Sequence, residues 1–231
     1  MKKYLMIACE IIEDEINAGL KEIDFPYPIL YLPPDLHMLP EKLQAYLQEQ
    51  INRIKNVDYI ILPMGRCGNG TLGLKSETAT LILPKCEDCV NLLLSDENLS
   101  VQRPKFTMFF TDGWMRNENA ASFEYQRTID KYGKDQADSI MGMIYSGYKY
   151  FSLIETGAYE KQRVIDLLQP LADVVDVKIN YLPGKYGVLK KMLNLNFDDN
   201  FAMFPPGTEV TAEALEKNLY LPTNNGKFCN I

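Results

Sequence analysis

The chain has 231 residues and is 46% hydrophobic, which is enough to bury a sizeable core and excludes a disordered chain. Its net charge of -7 and pI near 4.9, without any basic cluster, argue against nucleic acid and anionic membrane surfaces as partners. No apolar run approaches the ~20 residues of a membrane span, and the N-terminus turns acidic too early for a signal peptide. We therefore expect a cytoplasmic protein that binds a small molecule or another protein.

Short apolar runs rich in Ile, Leu and Phe predict strands that are buried on both faces. In chain order they are 4–9, 28–32, 59–64, 79–84, 106–111, 150–155, 177–182 and 201–205. Helical patterns alternate with these runs, at 39–54, 89–95, 121–148, 158–175 and 186–194. This alternation predicts an α/β fold, Rossmann-like or chelatase-like, with a largely parallel sheet and helices on both faces.

The domain organisation follows from what separates these elements. The sequence shows no fixed-period repeat, low-complexity tract or Pro/Gly/Ser linker. We predict a single α/β domain over 1–231, and the polar connection at 112–121 is the expected division between two lobes. The tail from about 207 contains a short helical pattern and then a turn-rich end.

Chemically distinctive side chains follow the predicted strands. In open parallel sheets ligands bind beyond the carboxyl ends of the strands, where several loops converge. The candidates at these ends are Cys9, Glu10, Asp35, His37, Arg66, Cys67, Asn69, Lys85, Cys86, Glu87, Asp88, Cys89, Thr111, Asp112, Trp114, Glu155 and Thr156. Four of the five cysteines and the only histidine thus share one predicted edge, which favours a chemical role over simple core packing.

Thiols and imidazole at one edge are typical ligands of a soft metal ion. The Cys86-x-x-Cys89 spacing suits a metal, and Cys67 with either Cys9 or His37 would complete a tetrahedral set such as zinc prefers. The same thiolates could hold an iron–sulfur cluster. Two metal-free alternatives stay open: a Cys86/Cys89 redox pair, and a Cys67 nucleophile activated by His37.

Other residues complete the predicted site. The glycine-flanked backbone amides of Gly68, Asn69 and Gly70 could stabilise an oxyanion or cradle a ligand, although the stretch matches no nucleotide fingerprint. Trp114, the only tryptophan, either stacks on a planar ligand or fills the core, and the core role is the commoner one.

Carboxylates at the strand ends are the remaining candidates. Glu10, Asp112 and Glu155 are candidates for catalysis or for orienting a substrate, although capping and loop hydrogen bonds are the commoner use of such residues. Cys229, near the C-terminus, is expected to be an incidental exposed thiol.

Motifs along nearly the whole chain resemble one family, domain of unknown function 1638. In the family's order they are ACEI (8–11), LHxxP (36–40), GxCGNGxxGL (65–74), PKxxDC (84–89), TxGW (111–114), YGxxxAD (132–138) and ETGxY (155–159). Family members often lie near genes for corrinoid-dependent methyltransferases in anaerobes. The resemblance therefore implies a role in one-carbon metabolism, with a corrinoid protein as an expected partner.

The resemblance also ranks the candidate ligands. It implies that Cys9, Cys67, Cys89 and His37 form the site, because the family pattern shares these four residues. The family usually lacks Cys86, which makes the C-x-x-C pair a local variation.

This chain departs from the family in the loop after the fourth strand. The family has Arg and His there, where this chain has Lys85 and Glu87. Any proton transfer by that histidine is therefore in question here, although Glu87 could still ligate a metal or act as a base.

Three functional hypotheses follow from these residues. The first is a zinc-dependent enzyme that leaves one coordination position open to a substrate thiol or oxygen and accepts a methyl group, linked to corrinoid proteins. The alternative is a non-catalytic metallo-accessory or iron–sulfur protein that serves a corrinoid methyltransferase system. A third is a metal-free hydrolase with Cys67 as nucleophile.

Overall fold

A computed structural model describes residues 2–99, 101–116 and 120–216, except for the side chains of His37 and Met38. Its strands are β1 (Tyr4–Cys9), β2 (Ile29–Leu32), β3 (Tyr59–Ile61), β4 (Thr80–Pro84), β5 (Thr107–Phe110), β6 (Tyr150–Glu155), β7 (Lys178–Pro183) and β8 (Phe201–Phe204). Each strand lies within or next to a predicted apolar run, and the ends differ by at most three residues. The strand predictions are confirmed.

The helices within the same residues also follow the predicted patterns. They are α1 (Glu13–Leu20), α2 (Pro40–Arg53), α3 (Cys89–Leu94), α4 (Asp112–Met115), α5 (Ala121–Tyr132), α6 (Lys134–Ile144), α7 (Lys161–Val174), α8 (Gly187–Leu193) and α9 (Ala212–Glu216). Short 3-10 helices span Glu10–Ile12 and Pro34–Met38. Three differences from prediction remain: α1 and α4 are absent from the predicted set, and the predicted 121–148 helix is interrupted.

The interruption of the long helix has a local cause. Gly133 has φ +81°, a left-handed conformation that glycine adopts without a Cβ penalty. Its N–H donates to the Ile129 carbonyl at 2.8 Å, which closes the last turn of α5. The chain then restarts as α6, so one periodic stretch becomes two helices.

The first sheet has the strand order β2-β1-β3-β4-β8. Strands β1 to β4 are parallel, and β8 pairs with β4 as an antiparallel edge strand. The chain moves from β1 to one neighbour, β2, and then crosses to β3 on the other side of β1. The order of strands therefore reverses between β1 and β3, which is the position where doubly wound sheets bind ligands.

The second sheet is smaller and entirely parallel, with the order β5-β6-β7. The chain enters it between α3 and β5 and returns to the first sheet through α8 and β8. The α/β class with largely parallel strands is thus confirmed. A single domain with a lobe division near 112–121 stays a prediction.

Three groups of buried apolar side chains fill the interior. The first lies between one face of the first sheet and helices α1, α3 and α8, and it extends to Ile154 of β6. The second lies on the opposite face of that sheet against α2 and α9. The third joins the second sheet to α5, α6 and α7. The expectation of helices on both faces of the first sheet is therefore confirmed.

No helix in the described part of the chain is long and apolar enough to cross a membrane.

Candidate functional site

Four loops meet at the carboxyl-end edge of the first sheet, because β1 to β4 run parallel. They follow β1 at Cys9, β2 at the Pro34–Met38 helix, β3 at 62–70 and β4 at 85–88. The first and third of these loops flank the reversal of strand order. Sequence reasoning predicted a site at this edge, and the structure shows which contacts hold its loops together.

Cys9 ends β1 and precedes the 3-10 helix Glu10–Ile12. Its side chain is half-buried, and burial raises the pKa of its thiol to about 11. A backbone hydrogen bond from Ile11 opposes this rise, whereas the negative charges of Glu10 and Asp35 add to it. The influence of Asp35 means that the loop after β2 lies beside Cys9.

The loop that carries Cys67 is fastened to the loop after β4 by its backbone. The Arg66 N–H donates to the Cys86 carbonyl at 3.0 Å, and the Cys67 N–H donates to the Glu87 carbonyl at 2.8 Å. At Gly65 a Cβ would lie only 2.2 Å from the Cys86 carbonyl oxygen, so the two loops approach too closely for a side chain. Glycine at 65 is therefore required by the approach of the two loops.

Three consecutive residues of this loop adopt the left-handed conformation. The φ angles are +47° at Cys67, +62° at Gly68 and +75° at Asn69. Such a conformation is unfavourable for residues with a Cβ and persists only where surrounding contacts fix it. The turn packs on the start of α2, where a Cβ at Gly68 would lie 3.0 Å from Pro40. Strained backbone of this kind concentrates at functional sites, which makes the turn a strong candidate.

The backbone amides of the turn differ in availability. The Gly70 N–H donates to the Cys67 carbonyl at 3.0 Å and closes the turn. Within the described residues, the N–H groups of Gly68 and Asn69 have no intramolecular partner, and both residues are exposed. The Asn69 side chain accepts a hydrogen bond from Arg66 at 2.8 Å. Two of the three predicted amides therefore remain free to bind a ligand.

Cys67 and Cys89 lie on adjoining loops after β3 and β4, and Cys9 ends β1, which is the neighbour of β3 in the first sheet. The pKa of the Cys67 thiol is raised to about 12, mainly by burial and also by the charges of Asp88 and Cys9, whereas backbone hydrogen bonds from Gly65 and Cys89 oppose the rise. Burial likewise raises the pKa of Cys89 well above its ordinary value, with added contributions from Asp88, Cys67 and Cys9. Without a bound cation, all three thiols are protonated at neutral pH.

Cys86 has a different environment from the other three thiols. It is fully buried, belongs to the first core group, and donates a hydrogen bond to the Asp88 carbonyl at 3.4 Å. Asp88 caps α3 by accepting from the Val90 N–H at 2.9 Å, and Arg103 pairs with its carboxylate. The C-x-x-C metal or redox pair stays a prediction, but these contacts give Cys86 a packing role.

The predicted carboxylates are engaged by basic side chains or exposed. Asp112, at the start of α4, is buried and pairs with Arg163. Glu155, at the end of β6, pairs with Lys161 at 2.6 Å. Glu10 is exposed and adjoins Cys9. Of the three candidates, Glu10 alone belongs to the edge that carries the thiols.

Three further predicted residues have the following positions. The half-buried Trp114 packs against the first core group, in keeping with a core role, and its ligand-stacking role stays a prediction. The backbone of His37 lies in the Pro34–Met38 helix, beside the loop of Cys9, but its side chain lies outside the described part of the structure. Cys229 also lies outside the described residues.

A structural zinc ion needs about four ligand atoms placed around one point. Among the described side chains, no group of three or more His, Cys, Asp and Glu is placed so that it could hold a metal ion. The thiols of Cys9, Cys67 and Cys89 are neighbours without forming a ready-made coordination sphere. A metal ion would need the thiols to move together or the His37 side chain to join them.

Sequence reasoning missed Glu15, the most buried carboxyl side chain among the described residues. It is 1% exposed on α1, and its Oε1 accepts a hydrogen bond from the Thr156 hydroxyl at 2.8 Å. Its spacing in the sequence could have indicated this burial. Glu15 lies four residues from both Ile11 and Gly19, which are on the buried face. The run of acidic residues around it hid this pattern.

Fold and site together define an α/β protein with three cysteines at the strand-order reversal of its largely parallel first sheet. Residues 31–193 match the model of the family described as protein of unknown function (DUF1638), and the chain belongs to that family. The match includes His37, Cys67 and Cys89, whereas Cys9 and Glu15 precede it. Comparisons with curated proteins and with solved structures found no match.

Proposed function

We propose that the chain binds a soft metal ion, with zinc preferred, through Cys9, Cys67 and Cys89, with His37 as a further ligand. The observation that supports this is that Cys9, Cys67 and Cys89 follow the adjacent parallel strands β1, β3 and β4 at one sheet edge, and that the Cys67 N–H donates to the Glu87 carbonyl at 2.8 Å, two residues from Cys89. Zinc favours thiolate and imidazole ligands in tetrahedral sets. Cys86 is left out because it is buried in the core and bonded to the Asp88 carbonyl.

Binding would change the protonation of the site. Burial keeps the three thiols protonated, so each must release a proton before it can act as a ligand. Since the described side chains hold no ready-made metal group, binding must also draw the thiols together. Two backbone hydrogen bonds join the loop of Cys67 to the loop after β4. Because of this connection, we expect Cys67 and Cys89 to move together.

The chemistry we propose for this site is methyl transfer linked to corrinoid proteins. A zinc ion held by thiolates would stabilise a substrate thiol in its thiolate form, which is the form that accepts a methyl group. The free N–H groups of Gly68 and Asn69 would bind an anionic part of the substrate, and Glu10 is the carboxylate best positioned to orient it. Asp112 and Glu155 are less suited, because both are occupied by basic side chains. The link to a corrinoid protein rests on the family resemblance.

A metal-free Cys67 nucleophile is less well supported. Reactive cysteines have a lowered pKa, which positive charges nearby produce, whereas the pKa of Cys67 is raised to about 12. The charge closest in effect to Cys67 is the negative charge of Asp88. The raised pKa therefore argues against a free Cys67 nucleophile, and a metal ligand at this position would need the metal ion itself to displace the proton.

Elemental analysis and a visible absorption spectrum of anaerobically purified protein test the proposal. We expect about one zinc per chain, lost in both Cys67→Ala and Cys89→Ala. The matched control is Cys229→Ala, which removes a thiol that is not one of the proposed ligands and should keep the zinc. Iron with labile sulfide would overturn the zinc proposal in favour of the iron–sulfur accessory role. Absence of metal in wild-type protein, with the variants still folded, would overturn both.

A further inference from the structure

Glu15 connects the two sheets of the molecule. It lies on α1, which packs on the first sheet, and it accepts a hydrogen bond at 2.8 Å from Thr156, which follows β6 of the second sheet. Both residues are buried, with 1% of Glu15 and 8% of Thr156 exposed. This contact therefore lies in the interior of the junction between the sheets.

The second oxygen of Glu15 is unpaired. Its Oε2 is buried and has no hydrogen-bond partner among the described residues. The same holds for the hydroxyl of Thr111, which directly follows β5. Buried polar atoms are nearly always paired, so an unpaired carboxyl oxygen needs a physical explanation.

The charged groups that face Glu15 do not neutralise it. Arg116 is the cation that acts on it, but Arg116 is bonded to both oxygens of Asp14 at 2.9 and 3.1 Å. Arg116 also lies 3.7 Å from Asp112, and Asp14 itself repels a charge on Glu15. Tyr159, on the loop after β6, donates its hydroxyl to the Ile154 carbonyl. No described residue forms an ion pair with Glu15.

An ionised carboxylate is unfavourable at such a position, because a buried charge needs a partner or several hydrogen bonds. A neutral carboxyl requires much less compensation. In agreement, burial raises the pKa of Glu15 from its ordinary 4.5 to about 7, and the hydrogen bond from Thr156 only partly opposes the rise. Since the folded state holds this proton more tightly, its contribution to stability is complete below pH 4.5 and is lost as pH rises through about 7.

We propose that Glu15 is a proton-controlled latch between the two sheets. When it is protonated, the carboxyl packs in the junction and keeps α1 against the end of β6. When it ionises, the buried charge weakens this contact and favours separation of α1 from the loop after β6. The latch uses none of the proposed metal ligands. A test of the latch is therefore independent of a test of metal binding.

Thermal unfolding between about pH 5 and about pH 8 tests the latch. The melting temperature of wild-type protein should fall over this range by about 3 °C or more beyond any fall in Glu15→Gln. The amide of this variant cannot ionise. At about pH 8 Glu15→Gln should melt above wild type. Glu13→Gln, two residues away on the same helix, is the matched control. Its melting temperature should change with pH as that of wild-type protein does. Parallel curves for wild type and Glu15→Gln would overturn the latch.

A second measurement on wild-type protein covers the case in which Glu15→Gln does not fold. The carbon-13 resonance of the Glu15 carboxyl should titrate near neutral pH, and the protection factors of amides in α1 and after β6, which correct for the intrinsic rise of exchange with pH, should fall over the same range. A carboxyl that titrates near the ordinary glutamate value, or protection factors that stay constant through this titration, would overturn the proposal.

Discussion

The two sheets present opposite chemistry at the same structural position. At the carboxyl-end edge of the first sheet, Cys9, Cys67 and Cys89 are neutral thiols held by backbone hydrogen bonds. At the corresponding edge of the second sheet, Asp112 and Glu155 are bound to basic side chains. Both edges arise from parallel strands, so the strand direction alone does not decide which edge binds a ligand.

Strand order separates the two edges. The first sheet reverses its order between β1 and β3, which is where ligands bind in doubly wound sheets, whereas the second sheet runs β5-β6-β7 without a reversal. The reversal coincides with Cys9 on one side and the strained turn at Cys67 on the other. The comparison teaches that the carboxylates of the second edge are paired with basic side chains, whereas the thiols of the first edge form no ion pair among the described residues.

The largest expected effect is on the reactivity of the first edge. Alkylation of Cys67 by iodoacetamide at about pH 8 should be at least ten times slower in folded, metal-free protein than in denatured protein, because its thiol stays protonated. Mass spectrometry of digested samples gives the rate at each cysteine. Rapid and selective alkylation of Cys67 would contradict this and restore the nucleophile hypothesis.

A change of intermediate size concerns the approach of the two thiol loops. Gly65→Ala should lower the free energy of unfolding by about 2–3 kcal/mol, because the added Cβ would meet the Cys86 carbonyl at 2.2 Å. Urea unfolding followed by circular dichroism measures the effect.

Gly142→Ala is the matched control for that measurement. It lies inside α6 with nothing within 4 Å of an added Cβ, so the helix preference of alanine should raise stability by about 0.5–1 kcal/mol. Equal effects of the two substitutions would show that the loops do not pack as described.

The smallest expected effect lies at the second edge. Glu155→Gln removes an ion pair with Lys161, whose side chain is 57% exposed, and solvent-exposed pairs contribute little to stability. We expect a change in melting temperature below about 1 °C and unchanged metal content. Loss of metal in this variant would place the second edge at the site and remove the contrast between the two sheets.

The fold was largely predictable because strands buried on both faces have a strong sequence signal. Each predicted apolar run contains or adjoins a strand, whereas helices α1 and α4 were not predicted and the 121–148 pattern was predicted as one helix. Gly133 ended a helix whose apolar period continued beyond it, and α1 was hidden by its acidic residues. In both cases tertiary packing overrides the local sequence pattern. A single sequence does not show which residues that packing will bury.

The strand-end positions of the candidate residues were predictable, but their burial was not. The positions of Cys9, Cys67 and Cys89 followed from the strand-end rule. The burial that raises their pKa values, and the closeness of Cys86 to the core, depend on tertiary packing. Glu15 was missed for the same reason, because the partner that buries it, Thr156, lies far along the chain.

X-ray absorption at the zinc edge of the purified protein tests the central claim most directly. We predict sulfur neighbours at about 2.3 Å from zinc in wild-type protein. The sulfur signal should disappear with the metal in Cys67→Ala and persist in Cys229→Ala. A zinc environment of nitrogen and oxygen alone, or the same sulfur signal in Cys67→Ala, would contradict a metal site built from the thiols of the first sheet.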